Sequence, residues 1–495
     1  MTNLPLLPLA NLEIWLTPLW ILSVGVTAGA ALLALIYGLV WLISRPAAAS
    51  LWATVQDGVL LQLSYVIAAF MLLFLIGAFT MPMSRLRESL QRLPAVGPAT
   101  VNQEIKPKVE DQEVTVNFRA DELQDYTFKS NQDLRIASEK GAAYIKPIAV
   151  VQGDEPYKWT PNSRLPRGFQ DTVTKLYVTN EGDIPAAFAM EYTTDVAMPE
   201  VHYVPIAAAS VVGIFVLYFL VNWLLSGVST IALATSKEAI AQPLFLLFLG
   251  GGALALLAYI YIPYNTFGED VKMLKDSGLT TIMVLSIIFA LWTASVSVAD
   301  EIEGRTALTL LSKPISRRQF ILGKFLGIIW PVLLMYVVLG AVLLATVSYK
   351  VVYDARETSN PNPDWQLCFD EMIRTVPGLV LAFFETVVLT AISVAISTRL
   401  PMLPNLLICG SIYVLGHLGP MIVNSSAGEI EFVAFIGKLV AVVLPVLDHF
   451  NIQAAIAGGQ RVPWDYLGMA ALYCALYSTV AMLLALALFE DRDLA

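Results

Sequence analysis

Long apolar runs of about 20 residues recur along most of the chain, and short polar connections separate them. A helix needs roughly 20 apolar residues to cross a hydrocarbon core of about 30 Å. The pattern therefore predicts an α-helical polytopic membrane protein with about nine transmembrane helices. The predicted spans are 20–43, 58–80, 203–225, 243–263, 279–298, 325–347, 375–397, 403–423 and 465–489, and a shorter run at 433–446 is interpreted as re-entrant or interfacial.

Residues 82–200 follow a different pattern, because they are polar and their apolar positions tend to alternate, as in Val114, Val116 and Phe118. Period-two runs between turn signals, such as the one at 180–183, predict β-strands. Several short strands within about 100 residues predict an inserted β-sandwich-like domain. The alternative is a disordered insert, but frequent aromatic and β-branched residues favour a folded domain.

These patterns divide the chain into four predicted regions. Two N-terminal transmembrane helices occupy 1–81, the β-rich domain occupies 82–200, a third transmembrane helix occupies 201–227, and a six-helix core occupies 228–495. No lysine or arginine precedes Arg45, so a cleaved signal peptide, which needs a basic start, is not expected.

The composition agrees with a membrane protein and excludes several functions. The chain is 57% hydrophobic and 14% charged, whereas soluble domains carry about 25% charged residues. Its net charge of −10, with no basic patch outside 299–327, argues against nucleic-acid binding. The three cysteines and three histidines lack metal-ligand spacing, so no metal site is expected. No nucleophile–base pair or GxxxxGK[ST] phosphate loop is present, so the chain is not expected to be an enzyme.

The densest charge cluster of the chain lies between two apolar runs, in the loop 299–324. Basic residues in short loops mark the cytoplasmic side, so the loop 299–324 is assigned to the cytoplasm. Bases such as Lys275, Lys350 and Arg374 are assigned to short outer loops, which are longer in total. This places the N-terminus and the β-rich domain outside the cytoplasm. The charged residues are three acids, Asp300, Glu301 and Glu303, followed by five bases, Arg305, Lys313, Arg317, Arg318 and Lys324.

Within this loop, Ser316 and Gln319 have the spacing of a capping box at the start of a helix. Pro314 disfavours helix at the residue before it, so the loop is predicted as helix, break, helix. The first helix, about 303–311, carries Leu308 and Leu311 on one side. Two interpretations remain open: a lever that docks a soluble partner, or a basic loop that lies on anionic headgroups.

The run DEIEGRTALTLLSKPISRRQFILGKFLG resembles the first cytoplasmic loop of ATP-binding-cassette (ABC) type-2 permeases. The resemblance covers about 228–489, and residues 232–249 resemble the amphipathic elbow before the first core span of that family. The loop positions that match in order are Asp300, Glu301, Glu303, Arg305, Thr306, Leu311, Pro314, Ser316, Arg317, Gly323 and Lys324.

The resemblance implies that the loop contains a coupling helix that docks on a separate ABC ATPase subunit. It also implies a dimer, with a second copy or a related permease, in a cell inner (cytoplasmic) membrane. ATP and Mg would be bound through the partner subunit, and no cofactor by this chain. The implied coupling residues are Asp300, Glu301, Glu303, Arg305, Thr306, Leu308, Leu311, Pro314, Ser316 and Arg317.

Two functions are consistent with this resemblance. The chain is either a permease subunit that exports or moves an unidentified substrate, or part of a mechanotransmission complex. In the second case, cycling of the ATPase moves the extracytoplasmic domain, which then acts on a partner without substrate translocation.

Four ionisable residues are candidates for intramembrane or gate positions. Glu385 falls in the middle of a span, where a charge is costly, so it is expected to face protein or water. It is either a substrate- or proton-facing acid or a protonated carboxyl that packs helices together. Lys438, Asp448 and His449 lie near the predicted outer surface, as an exit gate or as anchors of a re-entrant segment.

Overall fold

The computed structural model describes residues 12–79, 83–163, 165–262, 269–303, 315–355, 363–423, 435 and 444–490. The chain divides into two units. The helical unit comprises Met1–Met81 and Val204–Ala495, and the β-rich unit comprises Pro82–Tyr203.

Twelve helices of ten or more residues are described. In chain order they are α1 (Leu12–Ile43), α2 (Arg45–Asp57), α3 (Leu60–Gly77), α4 (Met83–Arg92), α5 (Tyr203–Leu224), α6 (Ser226–Ala241), α7 (Pro243–Tyr259), α8 (Asp270–Ala294), α9 (Arg317–Ala355), α10 (Trp365–Ser397), α11 (Met402–Val423) and α12 (Trp464–Glu490).

Seven helices of the described part are long and apolar enough to cross a membrane, and the bent pair α6–α7 brings the number to eight. The multi-pass membrane class predicted from the sequence is therefore confirmed. The number of nine stays a prediction. The segment 433–446 lies largely outside the described residues.

The centre of the helical unit is formed by α8, α9 and α10, whose apolar stretches are the most buried. Residues such as Phe289, Leu339 and Leu389 are fully enclosed and belong to one hydrophobic cluster. By contrast, only 17% of the apolar stretch of α3 and 33% of that of α12 are buried. In a membrane protein such exposed surface is the part that meets lipid.

The segment compared above with an elbow contains a bend. Helix α6 ends at Ala241, and α7 begins at Pro243 after a change of direction of 61°. Proline suits the first position of a helix, because a backbone N–H at that position would have no partner within the helix and proline has none to leave unpaired. Two glycines of α9 allow α6 to approach closely: a Cβ at Gly323 would lie 2.6 Å from Cβ of Ile231, and one at Gly327 would lie 2.6 Å from Cβ of Thr235.

The N-terminal helices pack against this core. The hydroxyl of Ser348 in α9 donates to the carbonyl of Trp15 in α1 at 2.6 Å. The ring of Trp20 packs so closely on Gly77 that a Cβ there would lie 2.1 Å from the indole. Small residues at such crossings let membrane helices approach. The first helices are thus an integral part of the helical unit.

The β-rich unit contains eight strands in two antiparallel sheets of order β1-β8-β3-β6 and β2-β7-β4-β5. The strands are β1 (Pro98–Ile105), β2 (Val109–Arg119), β3 (Leu123–Ser130), β4 (Leu134–Ala137), β5 (Ala149–Val151), β6 (Tyr157–Trp159), β7 (Thr172–Asn180) and β8 (Ala186–Thr194).

Alternate residues of both sheets enter one buried cluster. Ile105 and Phe188 come from the first sheet, and Val114 and Leu176 from the second. Tyr126 stacks on the indole of Trp159 at 5.4 Å between ring centroids. The strand predicted from the alternation of Val114, Val116 and Phe118 is therefore present, while the sandwich class stays a prediction.

Candidate functional site

The middle of the charged loop, 304–314, lies outside the described residues. This part includes Arg305, Thr306, Leu308, Leu311 and Pro314, so the first predicted helix of the loop stays a prediction. The structure does describe the segments that enter and leave the loop. These segments form the base of the loop, defined here as residues 295–303 and 315–324.

The entering segment departs from regular α-helix. After Ala294, the chain forms one π-helical stretch, Ser295–Asp300, and a final turn, Glu301–Glu303. Single π-turns inside α-helices are rare, and those that do occur are frequently found at functional sites. No hydrophobic pattern in the sequence predicts this feature, because a single turn is too short to show a detectable periodicity.

The leaving segment begins with the predicted capping box. The backbone N–H of Gln319 donates to Oγ of Ser316 at 3.2 Å, and the backbone N–H of Ser316 donates to Oε1 of Gln319 at 3.0 Å. This prediction is confirmed. Helix α9 then continues for 39 residues, about 58 Å at 1.5 Å per residue. It is longer than the predicted span 325–347 at both ends.

Arg317 binds the C-terminal end of α12. Its Nη1 donates to the carbonyl of Glu490 at 2.7 Å, and its guanidinium lies over the ring of Phe489. The last carbonyls of a helix have no partners within it and carry partial negative charge, so a cation there is favourable. Phe320 stacks on Phe489 at 5.6 Å between centroids. The predicted coupling residue Arg317 thus fastens α9 to α12.

An ion pair joins the two sides of the loop. Nζ of Lys324 lies 2.5 Å from Oε1 of Glu301, and only 4% of the Lys324 side chain and 22% of the Glu301 side chain are exposed. The ammonium also lies over the ring of Phe320. Because a buried charge is costly unless it is paired, this contact holds the entering and leaving segments together.

A second polar cluster, the Asn405 cluster, lies at the same end of the helices. The amide nitrogen of the fully buried Asn405 lies 2.8–2.9 Å from the hydroxyls of Ser295, Ser393 and Ser397, to two of which it can donate at once, and its carbonyl accepts from Cys409. These residues come from the π-helical segment, α10 and α11. Sequence reasoning missed this cluster, because residues 110 positions apart in the chain meet here.

Glu385 lies inside the bundle, where only 1% of the residue is exposed. Its Oε1 is 3.5 Å from Nε2 of His417 on α11. Beside it, the hydroxyls of Tyr336 and Thr386 are 2.9 Å apart. The side chain therefore faces protein, as the cost of a charge in the membrane requires. The two interpretations of Glu385 given above stay predictions.

The other gate candidates are distant in sequence from the loop base. Asp448 and His449 are exposed on a short 3₁₀ turn, Leu447–Phe450, and the carbonyl of His449 accepts from the hydroxyl of Tyr466 at 2.6 Å. Lys438 lies outside the described residues. Their assignment as gate residues stays a prediction.

Buried ion pairs at the opposite ends of α8, α9 and α10 correct the assignment of two bases to outer loops. Lys275 pairs with Glu371 of α10, and Lys350 lies 3.0 Å from Asp354 and 3.5 Å from Asp270 of α8. Both lysines are buried within helices. The spacing of Lys350 and Asp354, four residues apart, was the available sequence signal.

The described residues thus form a multi-pass helical membrane protein whose charged loop is anchored through both flanking helices. A family model described as ABC-2 family transporter protein matches residues 49–494. The chain therefore belongs to the ABC-2 transporter family, and it is an ABC-2 type permease. The match begins well before the predicted core at 228, so it also includes the β-rich unit. A search of curated proteins finds no match.

Proposed function

We propose that this chain is the transmembrane permease subunit of an ABC transporter. In this proposal, it couples ATP hydrolysis by a separate ABC ATPase subunit to the export or transmembrane movement of a substrate. Membership of the ABC-2 family supports the permease class and implies an ATPase partner. No observation on the described residues favours the mechanotransmission alternative.

The ion pair between Glu301 and Lys324 is the observation that carries the coupling proposal. It joins the two chain segments that enter and leave the loop, so a partner that displaces the loop acts on α8 and α9 together. Helix α9 extends without a break from the loop to Ala355. A displacement at the loop is therefore transmitted along the whole length of α9, as in other rigid-element transitions.

The Asn405 cluster extends this connection to two further helices. Asn405 on α11 binds hydroxyls of the π-helical segment and of α10. Arg317 adds α12 through the carbonyl of Glu490. The loop base is thereby bonded to α10, α11 and α12, so a small movement is shared among the helices that form a transport path in this proposal.

The remaining assignments follow from this proposal. ATP and Mg are bound by the partner subunit, and this chain contributes the docking loop and the membrane path. The functional unit is a dimer of permease chains in a cytoplasmic membrane. The loop 299–324 faces the cytoplasm, and residues 82–200 are extracytoplasmic.

Charge reversal in the loop tests the proposal. We expect Glu303→Lys and Arg305→Glu to abolish co-purification with a co-expressed ABC ATPase subunit, or the stimulation of its ATPase activity, because docking depends on mixed charge. Lys272→Glu is the matched control, since Lys272 lies at the end of α8 away from the loop and its side chain is 42% exposed. Normal binding and stimulation in both loop variants would contradict the coupling role.

A further inference from the structure

Three helices of the described part enclose an apolar groove on the helical unit. Its walls are α9 and α12, and its floor is formed by Phe383, Phe384 and Val387 of α10. Its volume is about 840 Å³, which is within the range of roughly 300–1,000 Å³ for pockets that bury most of a ligand. The groove is separate from the Asn405 cluster and from the Glu301–Lys324 pair.

The groove exists because one wall carries small side chains. Ala471, Ala475 and Ser478 follow one another at helical spacing on α12. Opposite them, α9 presents larger residues, among them Phe325. The rim residue Leu483 is 61% exposed. An exposed leucine on a membrane-crossing helix faces lipid, so the groove opens to the hydrocarbon region of the bilayer.

The dimensions of the groove fit a lipid chain that enters from one leaflet. Its lining runs from Arg318 to Ile329 on α9 and from Ala471 to Leu486 on α12, about 16 Å and about 22 Å at 1.5 Å per residue. One leaflet contributes about 15 Å, half of a hydrocarbon core of about 30 Å. Its lining is predominantly apolar, which suits an acyl chain.

A single arginine marks one end of the groove. Arg318 is exposed, and no acidic side chain among the described residues lies within 4.0 Å of it. Its neighbour Arg317 differs, because it binds the carbonyl of Glu490. Arg318 belongs to the charged loop 299–324 and precedes the predicted span 325–347. Basic residues beside a membrane span attract anionic lipid headgroups.

We propose that this groove is a binding site for one anionic phospholipid, with an acyl chain between α9 and α12 and the phosphate on Arg318. The apolar walls supply affinity through burial of the chain, and the guanidinium supplies the preference for an anionic headgroup. Its lining includes Arg318, Ile321 and Leu322 of the loop base, so a bound lipid would contact the same segment of α9 that the loop moves.

Retained lipid measures this site directly. The full-length chain is reconstituted in vesicles of equal parts phosphatidylglycerol and phosphatidylethanolamine and extracted into mild detergent, and retained lipid is counted by native mass spectrometry. We expect phosphatidylglycerol to be retained in excess. In Arg318→Gln the ratio of phosphatidylglycerol to phosphatidylethanolamine should fall about fivefold. Arg399→Gln, an exposed arginine at the same end of α10, should leave the ratio unchanged.

Filling the groove provides the second arm of this experiment. Ala475→Trp should remove retained lipid of both kinds, and Thr479→Trp serves if the first variant does not fold. Unchanged lipid counts in the folded tryptophan variant, or an unchanged ratio in Arg318→Gln, would overturn the proposal. A disulfide between two copies of Thr479→Cys in native vesicles would also overturn it, because a second copy of the chain would then occupy the groove.

Discussion

Removing Glu301 tests the ion pair at the loop base most sharply. The side chain of Lys324 is only 4% exposed. In Glu301→Met its ammonium retains, among its described contacts, only the ring of Phe320. Breaking a buried pair from one side costs about 3–5 kcal/mol.

The expected loss is therefore about 3–5 kcal/mol. For a large unit, a loss of 1 kcal/mol lowers the melting temperature by about 2 °C, so we expect a decrease of roughly 6–10 °C. Thermal unfolding in detergent, followed by size-exclusion chromatography, measures it. The double variant Glu301→Met/Lys324→Met should melt near the wild type, because apolar residues of similar volume replace both charges.

The control variant is Glu269→Met. Glu269 pairs with Lys272 on the surface, with side-chain exposures of 60% and 42%, and such pairs contribute less than about 1 kcal/mol. Its melting temperature should therefore change by no more than about 2 °C. The reasoning would be refuted if Glu301→Met had the same melting temperature as this control, or if the double variant had a melting temperature as low as that of Glu301→Met.

Three further substitutions test other parts of the structure. Gly327→Leu should destabilise the helical unit by about 1–3 kcal/mol, because its Cβ would lie 2.6 Å from Cβ of Thr235; an unchanged melting temperature would contradict the close approach of α6 and α9. Asn405→Leu should lower the free energy of unfolding by about 1–3 kcal/mol, since it removes the amide shared by three serines. A melting temperature equal to that of the wild type would argue against that cluster. Arg92→Ala should lower the free energy of unfolding of the β-rich unit by about 1.5–3 kcal/mol, because the guanidinium makes two hydrogen bonds to the buried carboxylate of Glu122. Limited proteolysis of that unit should become faster, and resistance equal to that of the wild type would count against the pair.

Much of the fold could be predicted from local patterns. Apolar runs of about 20 residues identified the membrane-crossing helices, and alternation identified the strands around Val114 and Phe118. The capping box of Ser316 and Gln319 was also readable, because both partners lie within one helical turn. Such features depend only on neighbours in the chain, so a single sequence contains them.

The contacts that define the candidate site could not be predicted in the same way. Lys324 and Glu301 are 23 positions apart, and Asn405 and Ser295 are 110 positions apart. Their pairing depends on which helices pack together, which no single sequence specifies. The hydropathy pattern also places Lys350 in an outer loop, because the apolar run ends before this lysine. In the structure α9 continues to Ala355, and the carboxylate of Asp354 lies 3.0 Å from the ammonium of Lys350.

The sidedness of the loop tests the central claim most directly. The three native cysteines are buried, so a Lys313→Cys variant provides a distinct reactive thiol. We expect a membrane-impermeant maleimide to label Lys313→Cys in inverted membrane vesicles but not in intact cells, and the added ABC ATPase subunit to protect it. Labelling in intact cells, or labelling in inverted vesicles that the bound ATPase leaves unchanged, would contradict a loop that couples this permease to its ATPase.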